Sequence, residues 1–67
     1  MDFRAIDKRR QDARISQYRL CREADVHPTT YQRLLKKPAA GLARTLRRLD
    51  RALTALVEKN SEKGKAA

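Results

Sequence analysis

Residues 15–35, with the sequence ISQYRLCREADVHPTTYQRLL, decide the fold of this chain. Ser16 is a good N-cap for one helix, and Pro28 suits the first turn of another, where its missing N–H costs no hydrogen bond. Between them, Asp25 can adopt the left-handed conformation that ends a helix, although less readily than Gly. The stretch therefore predicts two short helices, the first at about residues 17–24 and the second beginning at Pro28, joined by a tight turn.

Both predicted helices have one apolar face. The side chains expected to be buried are Leu20, Cys21 and Ala24 in the first helix, and Tyr31, Leu34 and Leu35 in the second. Each set follows the spacing of one helix face, and Cys21 is interpreted as a small core residue. The outer face of the second helix is left polar. Two short helices with a tight turn and a polar outer face are typical of a helix-turn-helix.

Helices are also predicted on either side of this pair. The first covers about residues 2–13 and is weakly amphipathic, whereas the last covers about residues 42–58 and has a leucine every three or four residues. These leucines are Leu42, Leu46, Leu49, Leu53 and Leu56. Residues 59–67 contain no apolar anchor and are expected to form a flexible polar tail. We therefore expect an all-α fold, a compact domain of four to five helices over residues 1–58.

The chain is short and strongly basic. Its 67 residues carry a net charge of +9, and most of the excess lies between Arg14 and Arg51. Such a charge points to a polyanionic partner, with nucleic acid as the first candidate and an anionic membrane as the second. The membrane is disfavoured because the basic residues surround the helix pair and do not line one side of a single long helix.

Length and composition exclude several classes of protein and site. A chain of this size offers little scaffold for a catalytic cleft, so no enzyme activity is expected. The single Cys and the single His cannot build a zinc site, and no cofactor is expected either. No apolar run approaches the roughly 20 residues of a membrane span. One thiol suits a reducing compartment, and we expect a cytoplasmic protein that associates with the nucleoid through DNA.

Residues 15–27 resemble the opening of the helix-turn-helix in the lambda Cro and repressor family, also called the XRE family. The family pattern runs apolar, Ser or Thr, Gln, two polar residues, Leu, Ala, then three variable residues ending in Gly, and an apolar residue and Ser. Cys21 stands where the family prefers Ala, and Asp25 stands where Gly is usual, which implies a somewhat strained turn. Residues 45–53 resemble a later helix of the family, and the resemblance covers about residues 6–53.

The resemblance also draws attention to Arg10. It matches an arginine that in the family often pairs with an acidic residue late in the second helix of the motif. Here Leu35 occupies that acidic position. We therefore expect Arg10 to turn to Asp50, to solvent or to phosphate.

The resemblance implies a protein that binds double-stranded DNA, with the second helix of the motif in the major groove. The residues that the resemblance places in contact with bases are Pro28, Thr29, Gln32 and Arg33. Arg33 can bond guanine through two hydrogen bonds, and Gln32 can bond adenine in the same way. The residues expected to contact DNA phosphates are Gln17, His27, Thr30, Lys36, Lys37 and Arg44. Helix capping is a second role expected of His27.

Two features of the last helix have alternative interpretations. Its arginines, Arg44, Arg47, Arg48 and Arg51, either contact DNA or form a solvated face. Its last apolar residues, Leu53, Leu56 and Val57, are assigned to a dimer interface because they lie beyond the expected core, although packing within the core is the alternative. Members of the family commonly bind two-fold symmetric operators as dimers, so a homodimer is expected.

The expected function is therefore that of a Cro-like transcription repressor, of the minimal kind found in phages and other mobile elements. The alternative is a small helical adaptor that binds another regulator or a polymerase subunit with little DNA readout, because a helix-turn-helix fold does not by itself fix the function. The polar face around Gln32 and Arg33 distinguishes the two, since only a DNA-binding protein needs it for base contacts.

Overall fold

The computed structural model describes the backbone of residues 2–66 and the side chains of residues 2–59. This part of the chain contains four α-helices and a short 3-10 helix, and no strand. In chain order the elements are α1 (Phe3–Asp12), α2 (Gln17–Ala24), α3 (Pro28–Lys36), the 3-10 helix (Pro38–Ala40) and α4 (Ala43–Ala66). The predicted all-α fold, with its two short central helices, is therefore confirmed.

Single side chains set the beginnings of α2 and α3. Ser16 Oγ accepts a hydrogen bond from the backbone N–H of Arg19 at 3.1 Å, and His27 Nδ1 accepts one from the N–H of Thr29 at 3.1 Å. Each contact satisfies a backbone N–H that has no partner inside the helix. The N-cap predicted at Ser16 and the capping role predicted for His27 are both confirmed.

Two turn residues adopt the left-handed backbone conformation. Asp25, which follows α2, has φ 56° and ψ 44°, as predicted for this position. Arg14, between α1 and α2, has φ 58°, a conformation that was not predicted there. This conformation costs most side chains about 1–2 kcal/mol, and it costs Asp less because its short polar side chain tolerates it. Both turns therefore store backbone strain that a glycine would relieve.

The core lies between α4 and the helices packed against it, chiefly α1 and α2. The buried residues are Phe3, Ile6, Ile15, Leu20, Cys21, Ala24, Tyr31, Leu34, Leu46, Leu49, Ala52, Leu53 and Leu56. Cys21 is buried as predicted, and burial raises the pKa of its thiol. The rings of Phe3 and Tyr31 meet edge to face, with centroids 5.0 Å apart and planes at 68°. This aromatic contact joins α3 to α1.

Gly41 lies against the side chains of Leu34 on α3 and Leu46 on α4. A Cβ atom at this position would stand 2.9 Å from Leu34 Cδ2 and 3.2 Å from Leu46 Cδ2. Its φ of −70° is open to any residue. A larger residue here would therefore have to displace the ends of these two buried side chains, whereas the backbone conformation would accept it.

Two leucines that were predicted to be buried are exposed. Leu35 is 37% exposed and lies with Phe3 and Pro38 around a surface hollow, because Tyr31 and Leu34 occupy the inward side of α3. Leu42 is 71% exposed. It precedes the first residue of α4, so its side chain does not continue the row of leucines, and only its backbone C=O takes part in the helix by accepting from the N–H of Leu46 at 3.0 Å.

The dimer interface predicted at the end of the leucine row is wrong for two of its three residues. Leu53 is 0% and Leu56 is 2% exposed, and both belong to the core of the single chain. The reason is that α4 packs along both α1 and α2, so the core reaches further along α4 than the first three leucines. Val57, at 36% exposure, is the one member of the predicted interface that a partner could reach.

The last helix continues beyond its predicted end near Glu58. α4 runs to Ala66, although Asn60, Ser61 and Gly64 in this stretch have low helix propensity. The flexibility predicted for residues 59–67 stays a prediction, since side chains from residue 60 onward lie outside the described residues. Within the described chain, no helix combines the length and the apolar character that a membrane span requires.

Candidate nucleic-acid interface

The helices α2 and α3 are joined by the three residues 25–27 and pack against each other. The turn is closed by two backbone hydrogen bonds, from the N–H of Asp25 to the C=O of Arg22 at 3.4 Å and from the N–H of Val26 to the C=O of Cys21 at 2.9 Å. These bonds satisfy carbonyl groups that the end of α2 leaves open. They require the left-handed conformation of Asp25, so this residue determines where α3 begins and in which direction it leaves the turn.

The outer face of α3 carries the residues predicted to contact bases. All four are exposed, while Tyr31 and Leu34 on the opposite side are buried. The four are Pro28, Thr29, Gln32 and Arg33. Their exposure follows from the helical period, because residues three and four apart share one face. No acidic side chain occurs in α3, so this face presents no negative charge to a ligand.

Gln32 on this face is joined to α2. Its Nε2 donates a hydrogen bond to Oε1 of Gln17 at 2.7 Å. Gln17 is the first residue of α2 and was predicted to contact a phosphate, whereas Gln32 was predicted to contact a base. The structure therefore brings these two residues into one contact, which leaves the amide N–H groups of Gln17 and the Oε1 of Gln32 available to another partner.

The other residues predicted to contact phosphates flank this face at two places. His27 is exposed at the start of α3, and because its Nδ1 accepts from Thr29, its proton must be on Nε2, which can donate outward. Lys36 and Lys37 are exposed at the end of α3. Thr30 is half-buried in a hollow that it shares with Arg33.

Arg44 is exposed at the start of α4, between Leu42 and Thr45, which share a hollow with Thr30 and Arg33 of α3. It lines a groove on α4, and the other residues of that groove are Arg47, Arg48 and Arg51. The phosphate contact predicted for Arg44 at the flank of α3 therefore stays a prediction.

A polar cluster beneath α3 holds it to α1. Arg10 Nε donates to Asp7 Oδ1 at 3.0 Å and to the Tyr31 hydroxyl oxygen at 3.1 Å, and Tyr31 in turn donates to Asp7 Oδ1. Arg10 Nη1 also donates to the C=O of Ile15 at 2.8 Å. The cluster thus connects α1, α3 and the segment that precedes α2.

Charges within this cluster shift the pKa of its acids in opposite directions. Burial alone would raise the pKa of the Asp7 carboxyl, but hydrogen bonds from Tyr31 and Arg10 outweigh it and hold that pKa below its usual value. Burial raises the pKa of the Tyr31 hydroxyl, and its bond to Asp7 raises it further. At neutral pH the carboxylate is therefore ionised and the hydroxyl protonated, as the hydrogen bonds require.

Arg10 does not have the partners expected for it. Asp50 is engaged instead by Arg9, whose Nη1 donates to Asp50 Oδ1 at 2.6 Å. Asp7, which was not assigned a role, is the residue that pairs with Arg10. The spacing of Asp7 and Arg10, three residues apart on one helix, was the available signal for this pair.

Comparison of the chain with protein-family models, with curated proteins and with solved structures finds no match. The resemblance to the XRE family therefore rests on the sequence of the chain itself, above all on residues 15–27. No group of His, Cys, Asp and Glu within the described residues is arranged to hold a metal ion.

Proposed function

We propose that this protein binds double-stranded DNA with the outer face of α3 in the major groove and acts as a transcription regulator. The observation that carries the proposal is the hydrogen bond between Gln17 and Gln32. One glutamine begins α2, where a helix N-terminus favours phosphate, and the other lies on the exposed face of α3. A base contact and a phosphate contact held by one hydrogen bond would fix the register of the protein on the duplex.

The dimensions of α3 suit this role. An α-helix with its side chains is about 10–12 Å across, and the major groove is about 12 Å wide. Tyr31 and Leu34 anchor the inner face of α3, so the outer face keeps one orientation relative to α2. Arg33 extends from it, and Gln32, held by its bond to Gln17, keeps its Oε1 available for a base. Each good bidentate contact with a base contributes about 1–3 kcal/mol of discrimination.

Affinity comes mainly from phosphate contacts in this proposal. The candidates are Gln17, His27, Thr30, Lys36 and Lys37, on either side of the base-reading residues. Release of counterions from the phosphates makes such binding steeply dependent on salt. A protein with several phosphate contacts loses affinity by roughly 10³-fold or more between 50 and 200 mM salt.

A homodimer on a two-fold symmetric operator remains part of the proposal, with a different interface. Because Leu53 and Leu56 are buried, a partner would contact Val57 and the exposed surface around it. Two linked modules would raise the affinity that one small module can reach. A Cro-like repressor of a mobile element, located in the cytoplasm and on the nucleoid, is the form of regulator that this proposal favours.

Selection of bound fragments from a random duplex pool tests the proposal, followed by anisotropy titrations on the selected site. Arg33→Ala should relax preference at one base position, whereas Lys37→Ala should weaken all sequences alike. Lys8→Ala, which removes an exposed charge from α1, is the matched control and should change affinity little. Failure to enrich any sequence, together with affinity that is flat in salt, would refute DNA readout. Retained DNA affinity in Arg33→Ala with loss of a protein partner would favour the adaptor.

A further inference from the structure

A surface hollow lies between α3 and the start of α4, and Leu42 forms one of its walls. It shares the hollow with Thr30 and Arg33 of α3 and with Thr45 of α4. The side chain of Leu42 is 71% exposed, the largest value among the large apolar residues of the described chain. Its place is fixed by the backbone, because its C=O accepts a hydrogen bond from the N–H of Leu46 at 3.0 Å. The hollow therefore offers an apolar side chain beside hydroxyl and cationic groups.

The hollow lies on a flank of α3 and not at the centre of the base-reading face. Consecutive residues of an α-helix point about 100° apart, so Thr30 is turned by about that angle from Thr29. An α-helix with its side chains is about 10–12 Å across and the major groove is about 12 Å wide, so a helix in the groove has one strand of the duplex on each flank. In the orientation of the proposed function, the hollow faces the sugar–phosphate backbone of one strand.

The charge around the hollow suits such a strand. Residues 26–49 contain no Asp or Glu, and none of the residues that line the hollow is acidic. Of the carboxylates that flank this range, Asp50 is paired with Arg9 at 2.6 Å, and Asp25 lies at the turn between α2 and α3. Asp7, beneath α3, is bonded within its own polar cluster. A phosphate beside the hollow would therefore meet cations and hydroxyl groups and no unpaired carboxylate of the hollow itself.

We propose that Leu42 packs against a deoxyribose of this strand, while the hydroxyl groups of Thr30 and Thr45 bind the adjoining phosphate. The inference rests on the proposed function, which places α3 in the groove. A deoxyribose presents C–H groups between two phosphates, so it matches an apolar side chain with hydrogen-bond donors beside it. Covering the leucine adds affinity that phosphate contacts do not supply. No aromatic side chain lines the hollow for stacking on a single-stranded base.

This contact makes one position of the site selective for deoxyribose over ribose. The C2′ atom of deoxyribose carries only hydrogen, whereas that of ribose carries a hydroxyl group. Pressed against Leu42, this hydroxyl would lose its hydrogen bonds to water, and the two threonine hydroxyls are engaged with the phosphate. Leu42 is in this way a specificity-determining residue that distinguishes the sugar and not the base.

Truncation of Leu42 tests the contact by anisotropy titration on the selected duplex. Leu42→Ala should lower the affinity about fivefold, because methyl groups that the DNA would cover are removed. Leu42→Met keeps the apolar bulk and should stay within about twofold of the wild type. The matched control is Leu35→Ala, the same truncation at a leucine that is 37% exposed on the side of α3 facing α1, and it should also stay within about twofold. Circular dichroism shows that each variant is folded.

Chemically altered duplexes show which part of the DNA Leu42 meets. One set carries a single ribonucleotide at each position in turn, and the other carries dU in place of each dT, which removes a methyl group from the base edge. At one position near the base that Arg33 reads, the ribonucleotide should weaken wild-type binding about fivefold and Leu42→Ala binding less than about twofold. The dU set should affect the wild type and Leu42→Ala alike.

Other outcomes would overturn the inference. A folded Leu42→Ala protein that binds as the wild type does, while Arg33→Ala loses its base preference, would place Leu42 outside the DNA interface. Loss of sensitivity to dU and not to ribose in Leu42→Ala would make Leu42 a base reader. Loss of a dimer in light scattering, with unchanged affinity for a duplex of one half-site, would assign Leu42 to a protein contact. Failure of the proposed function is distinct from these, since no sequence would be enriched and Arg33→Ala would have no effect.

Discussion

The hydroxyl of Tyr31 on α3 donates a hydrogen bond to the carboxylate of Asp7 on α1. Through this bond the helix proposed to enter the major groove is fixed from its inner side by a charged residue of another helix. Arg10 closes the cluster by donating to both groups. A site whose outer residues must meet base edges within a few tenths of an ångström benefits from such support.

Tyr31→Phe should destabilise the protein by about 1–2 kcal/mol, because a buried hydrogen bond to a charged group is lost while the ring contact with Phe3 stays. Urea unfolding followed by circular dichroism measures the change. Tyr18→Phe is the matched control, since Tyr18 is 66% exposed and should change stability by less than about 0.5 kcal/mol. Equal effects of the two substitutions would contradict the role given to the cluster.

Acidification should remove the stabilisation that Asp7 provides. Its pKa is lower in the folded protein than its usual value, so between the two values the unfolded chain binds more protons and stability rises with pH. This contribution is fully present above the unfolded pKa of about 3.9 and is lost as the pH falls through the folded pKa. Urea unfolding from pH 6 to pH 3 should therefore show a steeper loss for the wild type than for Asp7→Asn. Parallel curves would show that Asp7 is not the group responsible.

Asp25→Gly should stabilise the protein by about 0.5–1 kcal/mol, because Gly adopts the left-handed conformation without the cost that a side chain carries. Asp25→Ala should destabilise it by about the same amount, since Ala has neither the freedom of Gly nor a polar side chain suited to this conformation. Thermal unfolding should give the highest melting temperature for Gly at position 25, an intermediate one for Asp and the lowest for Ala. Any other order would mean that the turn is not strained at Asp25.

Gln17 and Gln32 should act as one unit in DNA binding. Each substitution to Ala removes the hydrogen bond between them. The double variant should therefore lose less binding free energy than the sum of the losses in the two single variants, and the difference should be about 0.5–1.5 kcal/mol. Anisotropy titrations with the selected duplex supply the double-mutant cycle. Gln17→Ala combined with Lys36→Ala, which share no hydrogen bond, is the control cycle and should be additive within about 0.5 kcal/mol. An additive first cycle would refute the coupling.

Leu53→Glu should unfold the chain, because a carboxylate would replace a fully buried side chain and small domains have only about 5–15 kcal/mol of stability. Val57→Glu should leave it folded, since Val57 is at the surface. Circular dichroism and light scattering of both variants measure folding and mass. A folded Leu53→Glu protein would contradict the burial of this residue, and a dimer that persists in Val57→Glu would exclude Val57 from the interface.

The sequence predicted the helix pair well because local residues determine it. Ser16, Asp25 and Pro28 act through hydrogen bonds and backbone preferences within a few residues of themselves, and all three behave as expected. The polar outer face of α3 follows from the helical period alone. Exposure of Gln32 and Arg33 could therefore be predicted without knowledge of the neighbouring helices.

The errors concern contacts between elements. Leu35, Leu42 and Leu53 are all leucines on predicted helices, and only the packing of the other helices decides which of them is buried. The same holds for the polar contacts, since Asp50 and Asp7 were both possible partners for Arg10 and the choice depends on where α4 lies. The hydrogen bond between Gln17 and Gln32 likewise depends on the angle between α2 and α3, which a local sequence pattern does not determine.

Gly41 has a consequence for the way chains of this kind can change in evolution. Because a methyl group there would meet the ends of the Leu34 and Leu46 side chains, a larger residue can be accepted only if those ends give way. A relative with Ala at position 41 would relieve this contact by a smaller or differently shaped side chain at position 34 or 46, or by a change of leucine rotamer. Such a paired replacement, visible in an alignment as covariation of position 41 with 34 or 46, would record the constraint that holds the helix in place.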